Sequence, residues 1–287
     1  MSVGSETRLR ALDSVLDAAL ARTTSADGIV GKIVGAVTGA LSPSDLDELA
    51  RDLFVVVDAL ESSVALRRAI TDPSISEEGR KNLIHDLFSK KISTTALDVV
   101  AEGAAMRWAG GRTFAAAIER QAVRATLVKA DRDGTLEDTE DELFRFARMV
   151  ESNPELREAI GGRAVPLANR QALVGDLLDR ATAATVVLAK RAVLARERTF
   201  AHTIEGFVKL AADQKNRVVA TVRVARPLTS DQRERLRTSL SKQVGREIAI
   251  QEIIDPEVLG GVRVELGDEV VEGTVADRLE QARRLFG

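Results

Sequence analysis

Two histidines are the first residues to examine for chemistry. His85 stands in LIHDLF and His202 in FAHTIE. A neutral imidazole at either place could serve as a general base or a zinc ligand. Both roles need company, and the chain has two histidines in all and no cysteine. Disulfides, iron–sulfur clusters and cysteine-based zinc sites are thereby excluded, and each histidine is read as a surface or helix-packing residue. The run Glu137-Asp138-Thr139-Glu140-Asp141-Glu142 offers carboxylates to a cation but lacks the alternating ligand spacing of a calcium loop. It reads better as a helix N-terminus, where carboxylates meet the positive end of the helix dipole. Gly161-Gly162 and Gly260-Gly261 lack the strand–glycine–helix setting of phosphate-binding loops. The second pair marks a bend at a strand start. No catalytic residue, cofactor site or metal site is assigned.

The composition suits a helical scaffold. The chain has 287 residues, enough for two or three domains. Aromatic residues make up 3%, with one Trp and no Tyr. Abundant Ala, Leu, Arg and Glu favour helix-on-helix packing. A net charge of -3 gives no support for nucleic-acid binding. The first 25 residues are too charged for a signal peptide, and no run reaches the ~20 apolar residues of a membrane span. The nearest, Gly28 to Leu41, is expected to be a core-facing helix of a bundle, with a surface-seeking or partner-binding helix as the alternative.

Apolar spacing predicts helices over nearly all of 6–214. Leu9, Leu12, Leu16 and Leu20 form one face of the first. Ser44 is expected to cap the second, with Leu46, Leu49, Leu53, Val56, Val57 and Leu60 inward. Further helices are expected over 64–70, 76–90, 94–108, 112–130, 136–152, 154–160, 167–180, 182–196 and 198–214. Leu143, Phe146, Ala147 and Val150 point inward in 136–152.

An internal repeat accounts for this length. Leu66, Arg67, Ala69, Ile70, Arg80, Leu83, Asp86 and Leu87 recur as Leu156, Arg157, Ala159, Ile160, Arg170, Leu173, Asp176 and Leu177, a constant offset of 90. Four residues are then lost. Arg112-Thr113-Phe114 falls on Arg198-Thr199-Phe200, and Ile118 and Glu119 fall on Ile204 and Glu205. One bundle is present twice, as 44–130 and 134–214. The expected domains are 1–133, a helical bundle; 134–214, a second bundle; and 215–287, a small α+β domain.

The period changes to two at Arg217. Val218, Ala220, Val222 and Val224 alternate with Val219, Thr221 and Arg223 as in a half-buried strand. Thr229 and Gln232 form a capping box, and Leu236, Leu240 and Val244 make one helix face. Strands are expected at 247–254 and 261–266, the latter with Val262, Val264 and Leu266 on one side. Val270 and Val271 extend the chain briefly, and Gly273-Thr274 is expected to open a last helix. The expected fold class is mainly α: two related helical bundles followed by a small α+β domain of order βαββα. In the last helix Val275, Leu279, Ala282 and Phe286 share a face, which can dock on its own domain or on a partner helix.

The C-terminal stretch resembles a known family. Asp255-Pro256, Leu259-Gly260-Gly261, Val262 with Val264, Gly267-Asp268, and Gly273-Thr274-Val275 before Arg278-Leu279 are similar to the end of delta subunits of F-type ATP synthases. These are the bacterial counterparts of the mitochondrial oligomycin-sensitivity-conferring protein. Residues 134–214 resemble the family's helical bundle. The extra bundle departs from the usual member and resembles the long delta chains of actinobacteria. Val270-Val271-Glu272-Gly273-Thr274 stands where the family usually has Val-Ile-Asp-Gly-Ser. The resemblance implies a non-catalytic subunit without a cofactor, peripheral on the cytoplasmic face of the plasma membrane and not inserted in it. It implies a stator role in the peripheral stalk. The bundle would grip N-terminal segments of the alpha subunits, and the C-terminal domain would contact the b subunit, with Val275, Leu279, Ala282 and Phe286 as the b-facing or domain-docking stripe. A free helical protein–protein adaptor is the alternative. An enzyme or nucleic-acid binder on the α+β module would need clustered titratable groups or a basic groove, and the sequence has neither.

Overall fold

Several helices begin where a short polar side chain takes over an orphan backbone N–H. The computed structural model describes residues 3–21, 41–162, 164–194, 199–215, 217–244, 247–254, 261–266 and 269–274. Its first helices are α1 (Val3–Ala21), α2 (Pro43–Ser62), α3 (Val64–Ile70), α4 (Glu77–Phe88), α5 (Thr94–Ala105) and α6 (Gly111–Arg132). Then come α7 (Leu136–Ser152), α8 (Pro154–Gly161), α9 (Leu167–Leu177), α10 (Ala183–Ala192) and α11 (Phe200–Lys215). Ser63, Ser76, Ser93, Asn153 and Thr182 each accept the backbone N–H three residues on, satisfying a donor the helix leaves free.

The cap of α2 is Ser42, not Ser44. Ser42 has extended backbone, accepts the Asp45 N–H, and gives its own N–H to the Asp45 carboxylate at 2.9 Å. Pro43 fills the first helical position, where a missing N–H costs nothing. The helix at 94–108 stops earlier than its apolar pattern suggests, at Ala105. The Trp108 indole turns back to donate to the Gly103 carbonyl at 2.8 Å and so replaces another turn of helix. The segment Gly28–Ala40 lies outside the described residues; Leu41, at its end, is buried.

One unit holds residues 1–16 and 41–215. Its core contains every inward position expected of 44–62 and 136–152, together with Leu12, Leu16, Ile84, Phe114, Ile118 and Ile204. Fully burying such a side chain contributes about 1.5–3 kcal/mol. Helix α6 is buried without interruption from Gln121 to Val128, which is the pattern of a helix covered on all sides. It packs on α2, α3 and α5 and also on α7, α10 and α11. Two glycines make the connections possible. A Cβ at Gly111 would stand 2.5 Å from Arg67 Cβ, so only glycine admits the start of α6 beside α3. Gly134 has φ +71° in the turn to α7, a left-handed conformation that glycine adopts without strain.

The other unit comprises 17–40 and 216–287. Its described elements are β1 (Arg217–Val224), α12 (Ser230–Val244), β2 (Glu247–Ile254), β3 (Gly261–Leu266) and β4 (Glu269–Thr274), with strand order β2-β1-β3-β4. β1 and β2 are parallel, joined through α12, and the other pairs are antiparallel. Parallel neighbours need such a crossover. Ala220, Val222, Val224, Leu240, Ile248 and Val264 form the core, flanked by Leu236 and Val262. The capping box at Thr229 is formed: its N–H meets Gln232 Oε1 at 2.9 Å, and its Oγ1 accepts the Gln232 N–H at 3.3 Å.

One expectation is corrected here. Gly273-Thr274 does not open a helix; it ends β4, with Gly273 paired to Val262 and Thr274 to Gly261. A short Val270-Val271 run reads as a brief extension by itself. Beside β3 it gains a full antiparallel ladder, which carries the strand through Gly273. The residues after Thr274 lie outside the described set.

Candidate partner-binding site

The helical unit is held by polar side chains that bind backbone ends, and these recur at the repeat offset. Arg80, 2% exposed, donates to the carbonyls of Ile75, Ala104 and Ala105 at 2.5–2.7 Å. The last two lie at the C-terminus of α5, where the helix dipole favours a cation. Arg170 donates to Val165, Ile160 and Val193 at 3.1–3.4 Å, the last at the end of α10. Arg67 donates to the carbonyls of Leu60 and Glu61, and Arg157 to that of Glu151. Asp52 accepts the Ser93 N–H at 2.7 Å. Ninety residues on, Glu142 accepts the Thr182 N–H at 2.9 Å and the hydroxyls of Thr182 and Thr185.

Asp13 of α1 anchors that helix to α6. It accepts from Arg120 Nη2 at 3.0 Å and Gln121 Nε2 at 2.8 Å, and lies 3.1 Å from Arg124 Nη1. Burial opposes its charge most strongly. The Arg124 charge, the Arg120 charge and the hydrogen bonds from Arg120 and Gln121 together outweigh it, so the carboxyl sits below its ordinary value.

A cleft of about 490 Å³ opens between α2 and α10 with α6 as its floor. Val55 on α2 and Val187 on α10 line it and are 44% and 42% exposed. Arg191 ties the walls together: its guanidinium makes two hydrogen bonds to Asp58, at 2.9 and 3.0 Å. The same group lies 4.4 Å from the Phe54 ring and 3.7 Å from Glu119 of α6. At the other end Lys129 is bonded to Asp133 and lies 3.8 Å from Asp47. The hydrogen bond to Asp133, chiefly, raises its pKa. An apolar strip between two sets of paired charges suits the nonpolar face of a helix, which anchors at i, i+3, i+4 and i+7.

The histidines, acidic run and glycine pairs fall elsewhere. His85 and His202 are exposed, and no three His, Asp or Glu among the described residues are grouped to hold a metal ion. The acidic run is divided among structural tasks. Glu137 and Glu140 pair with Lys215 at 2.9 and 3.2 Å, Asp141 with Arg145, and Glu142 holds Thr182, the cap of α10. Gly162 closes α8 through its N–H to the Glu158 carbonyl at 2.7 Å. Gly261 and Gly273 face each other's neighbours across β3 and β4. Asp255, Pro256, Gly260, Gly267 and Asp268 lie outside the described residues, as do Val275, Leu279, Ala282 and Phe286. The cleft itself was not singled out in the sequence, though a signal was there. Phe54 to Val57 is a run of four apolar residues in one helix, and Val186 to Ala189 is another. A helix cannot turn four consecutive residues to one core.

The molecule is thus a many-helix unit with an apolar interhelical cleft, joined in sequence to a mixed four-stranded α+β unit. A family model described as ATP synthase delta (OSCP) subunit matches residues 118–286. Proteins named ATP synthase subunit delta are similar over most of the chain. That of Kineococcus radiotolerans is 43% identical over 84% of this chain and 88% of the relative. That of Streptomyces avermitilis is 44% identical over 84% and 89%, and that of Parafrankia sp. 40% over 90% and 93%. The chain belongs to the ATP synthase delta (OSCP) subunit family. No helix among the described residues is long and apolar enough to cross a membrane.

Proposed function

We propose that this chain is a non-catalytic stator subunit in the peripheral stalk of a proton-translocating F-type ATP synthase, joining the alpha/beta head to the b subunit. It would lie on the cytoplasmic face of the plasma membrane. Family membership supports the assembly. The observation that carries the linking role is the cleft between α2 and α10, with exposed Val55 and Val187 above a buried α6. An N-terminal segment of an alpha subunit, laid in as an amphipathic helix, would cover both valines. A stator must hold its partners under torque, and the recurring arginine and carboxylate clamps on helix ends suit a rigid body.

The same reading divides the chain into 1–133, 134–214 and 215–287, with two related bundles before the α+β domain. The hydrogen bonds of Arg80 and Arg170, and of Asp52 and Glu142, support the duplication. Val275, Leu279, Ala282 and Phe286 are the stripe proposed to face b. Affinity purification of the tagged chain from detergent-solubilised membranes tests the assignment. The chain is expected to bring down alpha and b subunits; recovery of neither sinks it. Val187→Asp is expected to lose alpha while keeping b and the helical circular dichroism, and Leu279→Asp to do the reverse.

A further inference from the structure

The repeat leaves each half one helix short, and the structure shows what fills the place. Helices α2–α6 match α7–α11 in order. The helix before α2 is α1, and the helix before α7 is α6. Asp13 of α1 meets α6 at Arg120, Gln121 and Arg124. Eighty-six residues on, the matching positions of α11 are Gly206, Phe207 and Leu210, and the helix that packs on α11 from the preceding position is α6. So α1 stands to α6 as α6 stands to α11.

The polar contacts of α6 divide the same way. Lys129 lies 3.8 Å from Asp47 of α2. Glu119 lies 3.7 Å from Arg191 of α10, and Asp131 accepts from Gln214 of α11 at 3.1 Å. Uninterrupted burial from Gln121 to Val128 means that neither half covers α6 alone. Independently, the family match begins at residue 118, inside α6, before the second half's own first helix.

We propose that α6 is at once the last helix of the first bundle and the first helix of the second, so that the two bundles open as one body. The division near residue 133 is then an overlap, with α6 inside both domains. If α2–α5 came away, one side of α6 would be exposed to water, and the second bundle would lose part of its core with them.

Native-state hydrogen exchange on the full chain, read by mass spectrometry, tests this. Ile84 is buried in α4 and Val174, its counterpart, in α9. Ile84→Val is expected to speed the slowest amides of α4 and α5 by roughly 2- to 10-fold, and those of α10 and α11 by the same factor. Val174→Ala is expected to carry its effect back to α4 and α5. If either substitution speeds exchange only in its own half, the shared helix is refuted. If Ile84→Val is too mild to resolve, Ile84→Ala gives the same comparison with a larger shift. A second half that keeps its protection while α2–α5 lose theirs refutes the proposal in that variant also.

Discussion

The two halves of the helical unit keep the same backbone clamps but cover their closing helix by different means. In the first, α6 presents Arg120, Gln121 and Arg124 to a buried carboxylate on α1. In the second, the matching turn of α11 carries Gly206, Phe207 and Leu210, the last two buried. The first cover adds an ionic network to the buried leucines of α1, and the matching turn in the second half is apolar. The clamps endure because they satisfy helix ends, which any such bundle must do. The cover can change, because burial and a fully paired charge network are alternative ways to close a helix face. The contrast predicts that substitutions at the two covers differ in their dependence on acid and salt, although the halves open together.

Asp13→Ala is expected to have the largest effect. It leaves Arg124, 3% exposed, without its carboxylate, and breaking a buried pair in this way costs about 3–5 kcal/mol. Urea unfolding monitored by circular dichroism measures it. Phe207→Ala should cost about 3 kcal/mol through lost burial but be insensitive to salt. Equal salt dependence in the two variants would erase the distinction between the covers.

The clamps come next. Arg80→Ala leaves three carbonyls without a donor, two of them at the end of α5, and is expected to cost about 3 kcal/mol. Arg170, less buried and with longer bonds, should cost about half as much. Glu142→Ala removes the acceptor of three donors and Asp52→Ala that of one, so about 2 and about 1 kcal/mol are expected. A reversed order in either pair would show that the bond geometry does not set the strength of the clamp.

Acid distinguishes the ionic network of Asp13 further. The Asp13 carboxyl is held below its ordinary value, so its folded pKa is below its unfolded one. Its stabilisation is complete above the unfolded value of about 3.9 and is lost as pH falls through the folded value. Denaturation midpoints followed below about pH 4 should therefore fall more steeply in the parent chain than in Asp13→Asn. Parallel curves would remove Asp13 from the acid response. The smallest effect is expected from Lys215→Ala. Its partner Glu137 is 83% exposed and its partner Glu140 26%; pairs near the surface contribute little, so a small downward shift in thermal midpoint is anticipated.

By itself the sequence determined the helical order, the inward faces of α2 and α7, the offset of 90 and the period-two strands. Each of these depends on spacing along one element, and spacing is what a sequence displays. The C-terminal motifs also sufficed to point to the family. Tertiary structure decided what depends on neighbours distant in the chain. Gly273-Thr274 became strand because β3 offered a ladder. Ser42 became the cap because its backbone was extended and Asp45 could answer it. Glu142 left an apparently solvated acidic run to hold the cap of a helix forty residues away, where it accepts from Thr182 and Thr185. Val55 and Val187 became a cleft because no described helix covers them. Most of all, the all-round burial of α6 depends on two sets of helices closing on it from opposite sides. No periodicity reports that, because a helix shared by two cores has no single inward face to repeat.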